Sequence, residues 1–395
     1  MSVPPVPTVV IIGAGVIGLS AAVSLQQSLR ETPGRRPQIL MVAREWPGPA
    51  VPGAPHQHPV HSADYASMWA GAHVRPIPAT TPQLRREAGW LRRTVARFHR
   101  LAAEEPASGV TRTLGLEFLE APDQSYREQV DAATFARETG LPGFRVLPSA
   151  ELPDGVALGL EYQTFCINPP VYCEALLRKF LLGGGSTARR DLGSEWEAFG
   201  LADDVVLVVN ASGAGFGDPK CFPTRGQTVV TDLVHVQSTV TRQNKDGTWS
   251  FLIPRFLDGG TVVGGTKEPS DWRRAPCMPT RQRLLEEGLK LEPLAHADGR
   301  VPPTRAVGEV GVVADVVGRR PTRHGGMRLE LDERRMPRHA NGEDVRRRVI
   351  HAYGAGGRGY ETSWGVADEV VALALPLLNS AGTLSDPESV KGTAD

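Results

Sequence analysis

The feature that most narrows the fold is a glycine pattern near the amino terminus, Gly13-Ala14-Gly15-Val16-Ile17-Gly18, standing between a β-branched run at 9–12 and a helical stretch at 17–25. Glycine turns also arise for purely structural reasons, so the weight of a GxGxxG lies in its setting between strand and helix. There the first glycine permits a tight turn, the second lets the backbone approach a pyrophosphate, and the third lets helix and strand pack closely. The helix N-terminus adds N–H groups and a partial positive charge for the phosphates. A second apolar strand is predicted at 38–42 across a Gln/Arg/Pro-rich turn at 26–36, so residues 9–42 read as a βαβ unit, which needs a parallel sheet around it. The second strand runs into Arg44 and Glu45. A carboxylate at that place accepts hydrogen bonds from adenosine ribose hydroxyls, a role open to Glu45, while Arg44 either stacks on adenine or faces solvent.

Further along, 46–61 is rich in Pro, Gly and His and reads as a loop, whereas 81–103 has helical periodicity. A buried strand at 205–209 ends in Asn210, Ala211, Ser212 and Gly213. The Val/Thr/Ile-rich stretch 228–266, punctuated by glycines, predicts antiparallel strands of a second, mostly β unit, and 281–291 an amphipathic helix. The charge-dense segment 333–348 reads as a solvated loop. A βα pattern returns at 349–353 and 364–378, so the dinucleotide-binding part is discontinuous. Forty-four basic residues balance forty-four acidic ones, which removes the field that would favour nucleic acid or an anionic membrane. Cys166, Cys173, Cys221 and Cys277 form no CxxC pair and have no histidine at metal-ligand spacing, which fits a reducing compartment and no metal. No stretch approaches the roughly 20 apolar residues of a membrane helix. The first residues lack a signal-peptide pattern and the last lack an SKL-type address, leaving an intracellular soluble protein, cytoplasmic or peroxisomal, as the expectation.

Several segments carry a resemblance in collinear order. They are Trp69-Ala70-Gly71-Ala72, Val208-Val209-Asn210-Ala211-Ser212-Gly213, Arg225-Gly226-Gln227-Thr228, Ile253-Pro254-Arg255 and Val263-Gly264-Gly265-Thr266 with Asp271-Trp272. Gly318-Arg319-Arg320-Pro321-Thr322-Arg323, Arg328-Leu329-Glu330, His351-Ala352-Tyr353-Gly354, Gly359-Tyr360 and Trp364-Gly365 complete the series. Together they resemble the D-amino-acid oxidase family, in its fungal branch. The resemblance implies an FAD cofactor and hydride transfer from the substrate α-carbon to flavin N5. The imino acid formed hydrolyses to a keto acid and ammonia, and dioxygen leaves as hydrogen peroxide. The cofactor carries this chemistry while the protein positions the C–H bond. A neutral amine needs no general base. His73, in the flavin-side loop, either touches the cofactor or is simply packed.

The resemblance places the substrate carboxylate on Arg320, whose guanidinium supplies the bidentate geometry that lysine lacks. It places the amine near Gly357, where the missing side chain permits close approach. Trp69, Ala70, Gly71, Leu192, Ser212, Gly356, Gly359, Tyr360 and Glu361 join the glycine loop, Arg44 and Glu45 as expected FAD contacts. Two departures follow. Phe251 stands where the family has a tyrosine that helps hold the carboxylate, and no tyrosine lies between Gln227 and Phe251, where the family carries a gating one. A lost hydrogen bond to a charged group costs about 1.5 to 3 kcal/mol. Glu361 stands where the family has Gln or Thr beside the flavin: an ionised carboxylate repels charge on reduced flavin, a protonated one donates a hydrogen bond, and a third arrangement points it to solvent.

The expected fold is a two-domain α/β flavoprotein: a Rossmann-type FAD-binding domain from 1–80, 160–220 and 320–385, a mixed, mostly antiparallel substrate domain from 81–159 and 221–319, and a disordered tail at 386–395. The expected activity is oxidation of D-amino acids, neutral or aromatic ones suiting the Phe251 wall. Oxidation of another amine or imino acid, and flavin binding with little or no oxidation, are the alternatives. The partners are a small amino acid or amine and dioxygen, with a homodimer left open.

Overall fold

The computed structural model describes residues 5–32, 36–48, 61–128, 131–295, 306–337 and 344–382. Residues 49–60 of the expected loop and all of the expected tail lie outside that set.

Two sheets organise the chain. The first has six strands in the order Arg328–Pro337, Asp344–Tyr353, Val205–Asn210, Thr8–Ile12, Gln38–Ala43, Ser186–Arg189. All neighbours are parallel except the edge pair Arg328–Pro337 and Asp344–Tyr353. Thr8–Ile12 is buried along its whole length, as a strand covered on both faces must be. Val9 and Ile11 face the helices Val16–Glu31 and Gly359–Gly382, which pack against each other, while Val10 and Ile12 face a cluster built around Ala198 and Phe199. Pro169–Leu182 packs on Val16–Glu31, and Pro82–Glu104 on Gly359–Gly382.

The second sheet has nine strands and is mixed and mostly antiparallel. Its order is Glu268–Pro269, Cys221–Thr231, Thr261–Gly264, Trp249–Pro254, Thr239–Gln243, Val110–Leu119, Leu158–Ile167, Arg145–Val146, with Val312–Arg323 paired along Cys221–Thr231. The exception is the parallel pair Val110–Leu119 and Thr239–Gln243. Strand alternation gives this sheet two apolar faces. Val229, Val240, Leu252 and Val263 pack under the helix Met278–Leu291, and Val230, Ile253, Val262 and Val316 pack on the opposite side, against Trp69 and Phe251.

Three expectations are corrected. The first helix continues to Glu31, through residues read as a turn, because its polar end has work to do. Gln26 Nε2 donates to Phe180 O (3.0 Å) and Arg30 Nη2 to Gly183 O (3.0 Å), taking up carbonyls at the end of the neighbouring helix. The charge-dense segment is a hairpin on either side of 338–343, which lie outside the described residues. Arg334 and Arg347 lie over the rings of Trp196 and Phe199, each 4.6 Å from the centroid, and Arg348 Nε donates to Glu333 (2.8 Å). Finally, cuts at 160 and 320 pass through Leu158–Ile167 and Val312–Arg323, both strands of the second sheet, and Pro82–Glu104 packs on Gly359–Gly382, a helix of the first. No helix among the described residues is long and apolar enough to cross a membrane.

Candidate cofactor and substrate site

The glycine loop is built by close backbone approach. Gly13 has φ +100°, and a β-carbon there would collide with Ala211 O; one at Gly18 would collide with Gly13 O. At Gly15 it would stand 2.9 Å from Ser67 Oγ. Gly15 therefore caps the helix Val16–Glu31 without a side chain, and the end of Val205–Asn210 comes directly against the loop. Ala14 is buried beside it, and Val16 N–H donates to Ser67 Oγ (3.0 Å). Ser212 Oγ, one residue beyond the Ala211 contact, is buried with no hydrogen-bond partner. A buried hydroxyl without a partner is uncommon and calls for a ligand or water. A side-chain-free turn, a helix N-terminus and this hydroxyl together fit the pyrophosphate of a dinucleotide such as FAD.

The carboxylate of Glu45 accepts from Ser62 N–H (2.7 Å) and Ser62 Oγ (2.6 Å), so it fastens the segment that leads to Trp69. Arg44 lies 3.7 Å from both Glu45 and Asp191. Leu192 packs on the Val10, Val42 and Phe199 cluster. From Ser62 the chain crosses the inner face of the second sheet. Trp69 Nε1 donates to Ser62 O (2.7 Å), and its β-carbon is 3.0 Å from where one on Gly318 would stand. Ala70 O accepts from Arg255 Nη2 (2.9 Å), and Gly71 lies against Ile253 and Phe251. Three supporting side chains escaped the sequence reading: Tyr65 OH donates to Ala14 O (2.6 Å), Ser67 serves Val16, and Cys173 Sγ meets Tyr360 OH (3.2 Å), which donates to Ser67 O (2.8 Å). Tyr65 and Ser67 stand only four and two residues before Trp69, and that proximity was the available signal.

His73 bridges to Cys166 through the backbone. Burial, and the charge of Arg75 next, push its imidazole down to about 3 from 6.5. Between those values the unfolded chain binds a proton that the folded chain refuses, so stability falls as pH drops from 6.5 toward 3. On acidification from about pH 7 to about pH 5, His73→Asn is expected to lose less denaturant stability than the native chain. Equal losses would place the acid sensitivity elsewhere.

On the substrate side, Arg320 extends across Gly226, where any β-carbon would strike its guanidinium. Nη1 donates to Thr266 O (3.2 Å) and Arg225 O (3.4 Å). The neighbouring arginines are neutralised: Arg319 by Asp64, Arg323 by Asp218, Arg328 by Glu330. Among the described residues no carboxylate lies within ion-pair distance of Arg320. Burial holds its pKa below the ordinary arginine value, with Glu268 opposing. Gly357 faces the Arg320 stem, its β-carbon position 3.6 Å from Cδ, while Gly356, at φ +57°, donates its N–H to Pro321 O (2.8 Å). Gly359 abuts Val16, 3.5 Å from Cγ1 by the same measure. Phe251 lays its ring over Gly264 and Gly265. Arg320, Phe251, Gly357 and Gly71 thus border one region, alongside the glycine loop and the start of the last helix.

Glu361 is buried and ion-paired with Arg358, and also accepts from Arg75 N–H (3.1 Å); Arg358 Nη1 in turn holds Glu87 (2.6 Å). The ion pair with Arg358 is an arrangement outside the three expected for Glu361, and the burial of Glu361 excludes the one that points to solvent. Arg75 was not anticipated either. It is buried, paired with Glu117 (2.9 Å), bonded to Tyr126 OH (2.8 Å), and stacked 4.5 Å over Trp249, two residues from Phe251.

Comparison with known proteins gives the family. Residues 8–373 match the model of the DAO family, described as FAD dependent oxidoreductase. The chain is 46% identical over 375 residues to a D-aspartate oxidase of Talaromyces thermophilus, covering 93% of this chain and 95% of the relative. It is 31% identical over 380 residues to a D-amino-acid oxidase of Schizosaccharomyces pombe, covering 94% and 97%. In fold it is similar to a glycine oxidase from Bacillus cereus, with a TM-score of 0.59, 16% identity and 95% of each chain covered. An L-proline dehydrogenase from P. horikoshii gives a TM-score of 0.63 at 14% identity, covering 95% and 94%. With its glycine cradle, orphaned Ser212 hydroxyl and family match over residues 8–373, the chain belongs to the DAO family of FAD-dependent oxidoreductases.

Proposed function

We propose that this protein oxidises D-amino acids, with the first sheet and its helices holding FAD and the second sheet shaping the substrate pocket. The observation that carries the reading is Arg320, a half-buried guanidinium with no carboxylate within ion-pair distance among the described residues. A guanidinium withdrawn in part from water and left without an ion pair is costly, and a substrate carboxylate supplies the missing charge in a bidentate geometry. Gly13, Gly15, Gly18 and Ser212 hold the pyrophosphate, and Trp69, Ala70, Gly71, Gly356, Gly359 and Tyr360 border the flavin. When bound, FAD accepts the hydride from the α-carbon and passes the electrons to dioxygen. Arg320 fixes one end of the substrate, Gly357 lets the amine come close, and Phe251 walls off water. With the carboxylate and side chain both placed, only one enantiomer presents its C–H bond toward the cofactor.

The relative that is 46% identical is named for D-aspartate, so acidic side chains join the neutral ones favoured by the Phe251, Ile253 and Val262 wall. A second reading, oxidation of another amine or imino acid, draws support from the absence of a hydroxyl on Phe251. The deciding measurement is the flavin absorbance before and after anaerobic addition of D- and L-aspartate, alanine and phenylalanine. Bleaching by D-isomers alone is the expected result and ranks the side chains. Bleaching by none of them, with flavin bound, would overturn it.

A further inference from the structure

We propose that the Thr228 hydroxyl is a second donor to the substrate carboxylate, beside Arg320, an inference that rests on Arg320 binding that carboxylate. A carboxylate offers about four lone-pair directions, and a guanidinium fork fills two. In a buried site the remainder must also be met. Strand alternation puts Gly226, Thr228 and Val230 on one side of Cys221–Thr231. The Arg320 guanidinium lies over Gly226, and Val230 packs with Ile253 and Val262 beside Phe251, so Thr228 stands between the cation and the apolar wall. Thr228 is 6% exposed, and its Oγ1 is buried with no hydrogen-bond partner.

The register strengthens the placement. Thr228 pairs with Gly264, which pairs with Phe251. Around the point where a β-carbon on Gly265 would stand, Phe251 Cζ lies at 2.8 Å and Thr228 Cγ2 at 3.3 Å, while Arg320 Nη1 bonds the next carbonyl, Thr266 O. Cζ is the carbon at which a phenol would carry its oxygen, and in Phe251 it carries none. The corner is therefore ringed by a cation, two glycines, an apolar ring and Thr228, whose methyl faces Gly265 and whose hydroxyl has no partner of its own.

The test is titration of flavin absorbance with benzoate, a flat carboxylate that needs no turnover, on the FAD-loaded enzyme. Thr228→Val, which keeps the shape and removes the hydroxyl, is expected to weaken benzoate about ten- to a hundredfold. Thr228→Ser is expected to bind as the native enzyme does. Phe251→Tyr in the Thr228→Val background is expected to restore binding by returning an oxygen to the same corner. Native-like affinity of Thr228→Val, or equal losses in the Val and Ser variants, would overturn the proposal. A native enzyme that binds no carboxylate would instead refute the Arg320 reading itself, and this inference with it.

Discussion

Arg320→Met is expected to lower kcat/KM for D-amino acids by about thirtyfold to several thousandfold while leaving FAD bound. Truncating one partner of a buried, hydrogen-bonded charge pair costs about 2 to 5 kcal/mol, much of it from the carboxylate left behind without a donor. The glycine loop and Ser212 lie on other elements, so the flavin spectrum serves as an internal control. Arg320→Lys should recover only part of the loss, because an ammonium offers a point charge in place of a planar fork. Initial rates of peroxide formation across a concentration series check both variants. A loss of less than threefold in Arg320→Met would assign the carboxylate to another group.

The second large effect belongs to the glycine loop. Gly18→Val is expected to yield protein with at least about tenfold less flavin per chain, because its β-carbon would collide with Gly13 O and drive helix from strand. Forcing atoms into packed structure costs about 1 to 3 kcal/mol, and a tenfold loss in affinity needs only about 1.4. Gly89→Ala is the matched control, since a β-carbon there meets nothing within 4 Å. The ratio of flavin to protein absorbance in the purified proteins, with far-ultraviolet circular dichroism to verify folding, decides the matter. Full flavin content in Gly18→Val would mean that the backbone relaxes and that the third glycine is not required.

The βαβ unit could be read from the chain because hydrophobic runs and glycines are local signals, and Thr8–Ile12, Gln38–Ala43 and Gly13 stand where those signals put them. The hairpin Arg328–Pro337 and Asp344–Tyr353 could not. Arg348 finds its carboxylate across the strands, on Glu333, and Arg334 and Arg347 find the aromatic rings of Trp196 and Phe199, so charge density alone looked like solvent exposure. Gln26 and Arg30 misled in the same way, since their partners are the carbonyls of a helix about 150 residues later. Arg320 was visible through a motif, but that no carboxylate among the described residues comes within ion-pair distance of it is a property of three dimensions. Thr228 sat inside a quoted segment, yet only the register opposite Gly264 and Phe251 gives its hydroxyl a meaning.

The six-stranded sheet also carries a consequence for how the protein is made. Thr8–Ile12 pairs with Val205–Asn210, which in turn pairs with Asp344–Tyr353, and the loop after Thr8–Ile12 is closed by Gly359 at the start of the last helix. Contacts so distant in sequence bring high contact order and slow closure. A nascent chain leaves the ribosome amino end first, so the glycine loop waits, with part of its surroundings missing, until Gly359 and the helix that follows it have been synthesised. Cofactor capture is thus tied to synthesis of Gly359–Gly382, and chains truncated before that helix should emerge without flavin and be open to proteolysis.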